Sequence, residues 1–262
     1  MPSALEGERG RRLGTAELLV AAGLILGAWL SHRAGYFIGR RFDPKDEAFG
    51  RQLALVRGVT QALVAFLVGF AFAGAGSRFI ERADLIVTEA NALGTAWLRA
   101  DVLSDPAHRD LKEALREYTQ DRAVALGTND RDEIQKRLAK VGGLQERMWR
   151  AAIKGTEGNP TLMLVVLPPL NEVIDLHTTH LALARRHWPL PIMVVLLATA
   201  ALSYGLVGFG TGRSRRKFSP LDSVYGVVLA IAMWMVIDLD YARRGVLQVP
   251  NTPLVETLNA MK

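Results

Sequence analysis

The stretch GVTQALVAFLVGFAFAGAG, from Gly58 to Gly76, contains no charged residue. A helix needs about 20 predominantly apolar residues to cross the hydrocarbon core of a bilayer, where the segment must hydrogen-bond its own backbone groups. Three further apolar runs of similar character occur in the chain, at Thr15–Leu30, Trp188–Gly210 and Leu221–Ile237. The sequence therefore predicts four membrane-spanning helices.

A long polar insert, Arg78–His187, separates the second apolar run from the third. Its 16 Lys and Arg residues balance 16 Asp and Glu residues, and its apolar residues recur at helical spacing. We therefore predict an all-α, multi-pass membrane protein with four transmembrane helices and a helical-bundle insert between the second and third. The predicted domains are an N-terminal helix pair, the insert, a C-terminal helix pair and a short tail, at residues 1–77, 78–187, 188–240 and 241–262.

The second span is predicted to continue beyond Gly76 as one helix of about 45 residues, because an apolar stripe continues and no proline interrupts it. At Asp105-Pro106 a new helix is predicted, with the aspartate as N-cap and the proline at the first helical position. Asp130 is expected to cap the next helix. Three further local features are predicted, a bend or break, a kink and a short strand, at Gly142-Gly143, Pro168-Pro169 and Gly245–Val249.

The formal net charge of +6 lies outside the neutral insert, in short segments beside the apolar runs. Basic residues in such segments contact lipid phosphates and orient the helices. The insert has no basic face interleaved with aromatic residues, so the expected partner is the lipid bilayer and not nucleic acid. The two short loops are richer in Lys and Arg than the termini, which favours a cytoplasmic location for the loops and the opposite side for the insert. Four arginines on the insert side of the membrane offset most of this difference: Arg78, Arg82, Arg185 and Arg186.

Two aromatic residues of the second span, Phe66 and Phe70, lie one helical turn apart among small residues. If this helix lines the axis of an oligomer, the two rings form an apolar constriction that gates a pore by dewetting. The alternative interpretation is packing of both rings against a neighbouring helix or against lipid.

A polar cluster is predicted inside the insert, between the extension of the second span and the last insert helix. Its members would either lie near a pathway or hinge, or form an ion-pair network that fixes the register of the bundle. The six candidates are Glu89, Asn91, Arg99, Asn171, Glu172 and Asp175.

Two acidic residues, Asp238 and Asp240, end the fourth span at the predicted membrane boundary, where we expect them to cap the bundle or to bind a cation. His177 and His180 are one turn apart, but a metal site would need a third ligand from another helix, so no metal is expected. The chain has no cysteine, which excludes disulfides and thiolate sites. It contains no catalytic or nucleotide-binding motif, so we expect no cofactor and no enzymatic activity.

Several segments of the chain carry a family resemblance: Glu89-Ala90-Asn91-Ala92-Leu93-Gly94, Leu115-Arg116-Glu117-Tyr118, Leu170-Asn171-Glu172-Val173-Ile174-Asp175, Ile237-Asp238-Leu239-Asp240 and Arg243-Arg244-Gly245. In their order and spacing the chain resembles the bestrophin-like domain family, a domain of unknown function in bacterial membrane proteins. It departs from the family pattern after Asp240, where Tyr241-Ala242 stands in place of an expected Arg-Pro.

The resemblance implies the bestrophin layout of two spans, a helical insert and two further spans, here in the inner membrane of a bacterial cell. Bestrophins are pentameric anion channels whose second span lines the pore. The resemblance therefore implies a homo-oligomer that passes anions, with Phe66 and Phe70 as neck residues. It also implies that the insert is in the cytoplasm, which conflicts with the location that the loop charges favour. The alternative is a membrane-anchored sensor or scaffold whose helical bundle binds a partner or a small ligand.

Overall fold

The computed structural model describes residues 15–216, 219–241 and 245–262; Arg243 and Arg244, which carry part of the family resemblance, lie outside them. The described residues form eight α-helices: α1 (Thr15–Gly39), α2 (Glu47–Arg99), α3 (Ala107–Gly127), α4 (Arg131–Thr156), α5 (Pro160–Ala184), α6 (Leu190–Arg213), α7 (Pro220–Asp240) and α8 (Thr252–Ala260). A short 3-10 turn, Ala100–Val102, follows α2.

Four of these helices, α1, α2, α6 and α7, are long and apolar enough to cross a membrane. The prediction of an all-α protein with four transmembrane helices is confirmed. The prediction of a strand at Gly245–Val249 is wrong, because these residues form bends and irregular chain. The backbone N–H groups of Val246 and Leu247 instead donate to the carboxylate of Asp238, which turns the chain back onto the end of α7.

Helix α2 is the predicted unbroken helix, but it begins earlier than predicted and has 53 residues. At 1.5 Å per residue it is about 80 Å long, so only part of it can lie in a hydrocarbon core of about 30 Å. The chain divides into two compact units. The membrane unit comprises the described residues of Met1–Arg78 and His187–Leu247, and the bundle unit comprises Phe79–Arg186 and Gln248–Lys262. Helix α2 contributes residues to both.

In the membrane unit, helices α1 and α6 meet backbone to backbone along a row of glycines. Two glycines come from each helix: Gly35 and Gly39 of α1, and Gly208 and Gly212 of α6. A Cβ atom at any of the four would overlap a backbone carbonyl oxygen of the other helix. Only glycine permits this approach, which gives the two helices close van der Waals contact where no hydrophobic effect drives them together.

The last residue of α6 holds the connection between α1 and α2. Arg213 is buried and donates from Nε to the backbone carbonyl oxygen of Asp43 at 3.1 Å, and from Nη2 to that of Asp46. Its guanidinium carbon also lies 5.2 Å from the centroid of the Phe49 ring. This basic residue therefore serves as a structural anchor, although its position beside an apolar run suggested a lipid contact.

The bundle unit contains α3, α4, α5, α8 and the last part of α2. Asp130 caps α4 as predicted, since its side chain accepts hydrogen bonds from the backbone N–H groups of Asp132 and Glu133. Helix α4 continues unbroken through Gly142-Gly143, and α5 continues unbroken through Pro168-Pro169.

The start of α3 differs from the prediction by one residue. Pro106 occupies the N-cap position and the helix begins at Ala107. The carboxylate of Asp105 does not cap the helix but pairs with Arg109, with Oδ2 and Nε 3.3 Å apart. The favourable charge near the helix N-terminus is retained, while the predicted side-chain cap is not formed.

The segment predicted as a short tail, residues 241–262, contains helix α8 at residues 252–260. Leu254 and Met261 are fully buried in the core of the bundle unit, together with Leu111 and Leu115 of α3. The side chain of Asn251, which precedes α8, donates to the backbone carbonyl oxygen of Ala123 at 2.9 Å. The C-terminal residues are therefore part of the bundle core.

The glycine contact between α1 and α6 gives a matched test within one helix. We expect Gly35→Ala to lower the free energy of unfolding in detergent by about 1–3 kcal/mol, because its Cβ would meet a backbone atom that cannot move aside. Gly23→Ala in the same helix, where nothing lies within 4 Å of the added carbon, should be neutral or slightly stabilising. Thermal unfolding followed by circular dichroism measures both, and equal effects would contradict a backbone contact.

Candidate functional site

The two aromatic residues singled out in the second span lie on one side of α2. In the single chain Phe66 is 69% exposed and Phe70 is 63% exposed. Gly69 and Ala73, between and beyond them on the same side, are exposed as well. The helix thus presents an apolar, aromatic surface that its own chain leaves largely uncovered.

Phe70 is the first member of a row of three groups that packs along α2. Its ring centroid lies 6.5 Å from that of Trp188, and the Trp188 ring lies against Gly74, where a Cβ would come within 2.8 Å of a ring carbon. One turn further on, the guanidinium of Arg78 stacks 4.4 Å from the Trp188 ring centroid. A glycine at position 74 therefore leaves room for the indole between Phe70 and Arg78.

The first of the two boundary acids, Asp238, closes the turn after α7. Its Oδ1 and Oδ2 accept hydrogen bonds from the backbone N–H groups of Val246 and Leu247, each at 2.9 Å. Gly245 lies so close to this carboxylate that a Cβ would overlap it. The carboxylate is buried and fully engaged in capping.

The second boundary acid, Asp240, is itself buried and is the centre of an ion-pair cluster. Its Oδ1 accepts from Arg78 Nη2 at 2.9 Å, and its Oδ2 accepts from the backbone N–H of Trp188 at 3.2 Å. His187 Nδ1 lies 3.3 Å from Oδ2, and the His187 ring stacks on Tyr241 with centroids 4.6 Å apart. Tyr241, at the position where the chain departs from the family pattern, thus supports the histidine side of this cluster.

In the bundle unit, Glu89 forms the most deeply buried polar centre. Its Oε1 and Oε2 accept from Arg122 Nε and Nη2, both at 2.7 Å, which is a bidentate pair. Tyr118 donates its hydroxyl to Oε1 at 3.2 Å, and His180 Nδ1 lies 3.7 Å from Oε2. Glu89 and Tyr118 are 0% exposed and Arg122 is 2% exposed, so the charges are withdrawn from water and compensated by each other.

The titratable groups around this centre are perturbed by burial. Burial raises the pKa of the Tyr118 hydroxyl, and the adjacent Glu89 carboxylate raises it further. Burial lowers the pKa of His177 to about 4, and the Arg122 charge contributes in the same direction. Nδ1 of His177 has no hydrogen-bond partner among the described residues. His177 is therefore held neutral at neutral pH.

The structure divides the six residues of the predicted polar cluster. Glu89 is buried with Arg122, and Arg99 donates from Nη1 to the backbone carbonyl oxygen of Val165 at 2.9 Å. The other four, Asn91, Asn171, Glu172 and Asp175, are exposed in the single chain. Within that group, Asn171 donates its side-chain amide to Asp175 at 2.9 Å in the same helix.

Sequence reasoning placed Glu89 in a polar centre but did not identify its partners. Arg122 lies on the same face of α3 as Leu111, Leu115 and Tyr118, at spacings of four, three and four residues. A charged residue on an otherwise apolar face is the signal that indicates a buried partner on a neighbouring helix. Among the described residues, no group of three or more His, Asp or Glu side chains is arranged to hold a metal ion.

The fold and these clusters define a helical multi-pass membrane protein with compensated buried charges and an uncovered aromatic helix surface. The model of the Bestrophin-like domain family matches residues 26–254, and the chain therefore belongs to that family. The resemblance seen in the sequence motifs is confirmed. No curated protein matches the sequence.

The chain is similar in fold to crystal structures of a bacterial bestrophin homologue from Klebsiella pneumoniae that carry single substitutions. One is 14% identical, with a TM-score of 0.67 over 95% of this chain and 97% of the other. A second is 15% identical, with a TM-score of 0.64 over 91% and 97%. A third is 14% identical, with a TM-score of 0.61 over 94% and 99%. At this level of identity the likeness establishes the shared fold alone.

Removing one partner of the buried Glu89–Arg122 pair should destabilise the protein more than replacing both partners. Arg122→Met should lower the free energy of unfolding by about 3–5 kcal/mol, because it leaves the Glu89 carboxylate buried without compensation. The double variant Glu89→Leu with Arg122→Met should be more stable than the single variant, since no buried charge remains. Arg150→Met, which breaks an exposed pair with Glu146, is the control and should change stability little. Urea unfolding of the full chain in detergent measures all three, and a double variant less stable than Arg122→Met would refute the explanation.

The depressed pKa of His177 predicts a pH dependence of stability. The unfolded chain binds a proton at this residue near pH 6.5, whereas the folded chain does so only near pH 4. The free energy of unfolding should therefore fall as the pH is lowered from about 6.5 to about 4, and this contribution should level off below that range. His177→Leu should remove that part of the acid sensitivity, while His108→Leu, at a partly exposed histidine, should not. Melting temperatures between pH 4 and pH 8 provide the test.

Proposed function

We propose that this protein forms an oligomeric anion channel in the inner membrane of a bacterial cell, with α2 of each copy lining the pore. The observation that carries the proposal is the uncovered surface of α2, where Phe66 and Phe70 are mostly exposed in the single chain. Membership of the Bestrophin-like domain family supports it. Two rings per copy, one helical turn apart, would surround the axis as an apolar constriction.

The composition of α2 around the two rings supports a gate that works by dewetting. No charged residue occurs between Arg57 and Arg78, so an ion in this part of the pore would meet only apolar and small polar groups. Such a constriction is closed to ions when its rings exclude water and opens with a small increase in radius. Small residues beside the rings, including Gly69 and Ala73, would leave room for the rings to move.

Two arginines that follow the apolar segment of α2, Arg78 and Arg82, are engaged with their own chain. Arg78 pairs with the buried Asp240 carboxylate, and Arg82 donates to the backbone carbonyl oxygen of Arg186 at 2.9 Å. The Arg78 charge is compensated, so attraction of anions by an unpaired guanidinium at this position is not part of the proposal. Selectivity among anions would depend on how readily each anion loses its water at the aromatic constriction.

The alternative function, a sensor or scaffold that binds a ligand at the bundle, makes a different prediction about assembly. A ligand bound between the bundle helices near Asn91 and Asn171 would contact two residues that are exposed in the single chain. A monomer or dimer in detergent would favour this alternative, and a ring of four or more copies would favour the channel. Light scattering or native mass spectrometry of the purified protein distinguishes the two.

The channel proposal predicts the effect of removing the rings. In liposomes, Phe66→Ala and Phe70→Ala should each raise chloride flux several-fold, because truncation widens the constriction and lets water remain in it. Phe72→Ala is the matched control, since Phe72 lies two residues beyond Phe70 and thus on another side of the same helix. It should leave flux close to that of the unaltered protein. A conducting protein whose flux is unchanged by both constriction variants would exclude these residues as the gate.

A further inference from the structure

An arginine lies at the start of the uncharged segment of α2, where this helix passes beside α6. The guanidinium of Arg57 lies so close to Gly210 that an added Cβ there would come within 3.1 Å of Nη1. Arg57 is partly buried, and no hydrogen bond or ion pair within the described parts of the chain involves it. Arg213 of α6 differs, because it donates to two backbone carbonyl oxygens. A cation at a membrane-spanning segment needs a partner, so Arg57 indicates a counter-charge from outside the chain.

The face of α2 that carries Arg57 is the face that packs against α6. Val64 and Ala71 follow Arg57 at intervals of seven residues, which is close to two helical turns. Both are 3% exposed and belong to an apolar cluster with Leu196 of α6. The line along which Arg57, Val64 and Ala71 face α6 is the α2–α6 seam. Phe66 is nine residues from Arg57, half a turn around the helix, so the seam is separate from the proposed pore surface.

An apolar groove of about 250 Å³ opens along the same seam. Both helices contribute apolar lining residues, which include Leu67, Phe70, Ala71, Pro191, Val195 and Leu196. Val195 is 57% exposed, so the groove is open at the surface of the single chain. Leu67 follows Arg57 by ten residues, a rise of about 15 Å along α2. That distance is half of a hydrocarbon core of about 30 Å, the depth of one leaflet.

We propose that the α2–α6 seam binds an anionic phospholipid from the leaflet on the side of the α1–α2 connection. The phosphate pairs with the Arg57 guanidinium, which offers N–H donors in the geometry that phosphate oxygens accept. One acyl chain passes the half-exposed Leu63 and ends in the groove at Leu67. A single lipid molecule thus supplies both the counter-charge and the hydrocarbon. A free phosphate would leave the groove empty.

The bound acyl chain also contacts a residue of the proposed constriction. Phe70 lines the groove and is one of the two rings that we place at the pore axis. A chain in the groove limits the space into which this ring can move. This consequence for gating rests on the proposed function, whereas the binding of the lipid does not.

Native mass spectrometry of the full chain in detergent tests the phosphate contact, with phosphatidylglycerol as the probe. Arg57→Gln should weaken its binding about tenfold or more, because a hydrogen-bonded charge pair is lost. Arg51→Gln is the matched control, since Arg51 is exposed on the same helix and pairs with Glu47 at 3.5 Å. It should leave binding nearly unchanged. Equal binding by the Arg57 variant and the unaltered protein, or equal binding of phosphatidylcholine, would overturn the proposal.

A substitution in the groove tests the acyl chain and leaves Arg57 in place. Val195→Phe should fill the groove and weaken binding of long-chain phosphatidylglycerol more than binding of a short-chain analogue with the same headgroup. Val194→Phe is its control, because Val194 is 52% exposed but does not line the groove. Equal effects of the two variants would overturn the acyl-chain contact. Dissociation of the oligomer with unchanged lipid per copy would show that a second copy covers the groove, which also overturns it.

Flux measurements separate this inference from the proposed function. In liposomes that contain phosphatidylglycerol, Arg57→Gln should raise chloride flux, because the ring of Phe70 is no longer restrained, and Arg51→Gln should not. An unaltered protein that binds the lipid and conducts no chloride would refute the channel and leave the lipid site intact. A conducting protein that binds phosphatidylglycerol equally well with and without Arg57 would refute the lipid site alone.

Discussion

The membrane unit depends on how closely the backbones of α1 and α6 approach each other. In hydrocarbon no water is released when two apolar helices associate, so contact distance largely sets the strength of the association. Four glycines remove the side chains that would keep the helices apart. The close approach places Ser31 near α6, where its hydroxyl donates to the backbone carbonyl oxygen of Ala201. It also brings His32 within reach of Tyr204 and of Asp222 on α7.

Features that depend on consecutive residues, such as apolar spans and helix caps, could be predicted from the sequence. The span around Phe66 was predictable from the absence of charge, and the cap at Asp130 from a polar residue before a helical pattern. The four glycines of α1 and α6 can be read in the sequence, but the close helix contact that they permit could not be predicted from it. The spacing of Gly208 and Gly212, one helical turn apart, is explained only when the facing carbonyl oxygens of α1 are known.

Pairings between helices were less predictable than the helices themselves. Glu89 was recognised as an unusual polar residue beside an apolar stripe, and it does form a buried centre. Its partner comes from α3, whereas the predicted cluster placed it opposite Asn171 and neighbouring residues of α5. A rotation of one helix by less than half a turn decides between these faces, and no local pattern fixes that rotation. Helix α8 was missed for a similar reason, since nine residues carry a weak periodic signal without their packing partners.

The ion pair between Arg78 and Asp240 joins residues that are 162 positions apart in the chain. At a synthesis rate of about 5–20 residues per second, the ribosome needs roughly 8–32 s to proceed from the arginine to the aspartate. During that interval the end of the second span carries a cation whose native counter-ion has not yet been made. Its insertion must therefore be tolerated by lipid headgroups or by the translocon, and the completed fourth span then replaces that temporary partner. Assembly of this cluster is consequently a late step in biogenesis. Loss of the final span would leave the Arg78 guanidinium without the Asp240 carboxylate.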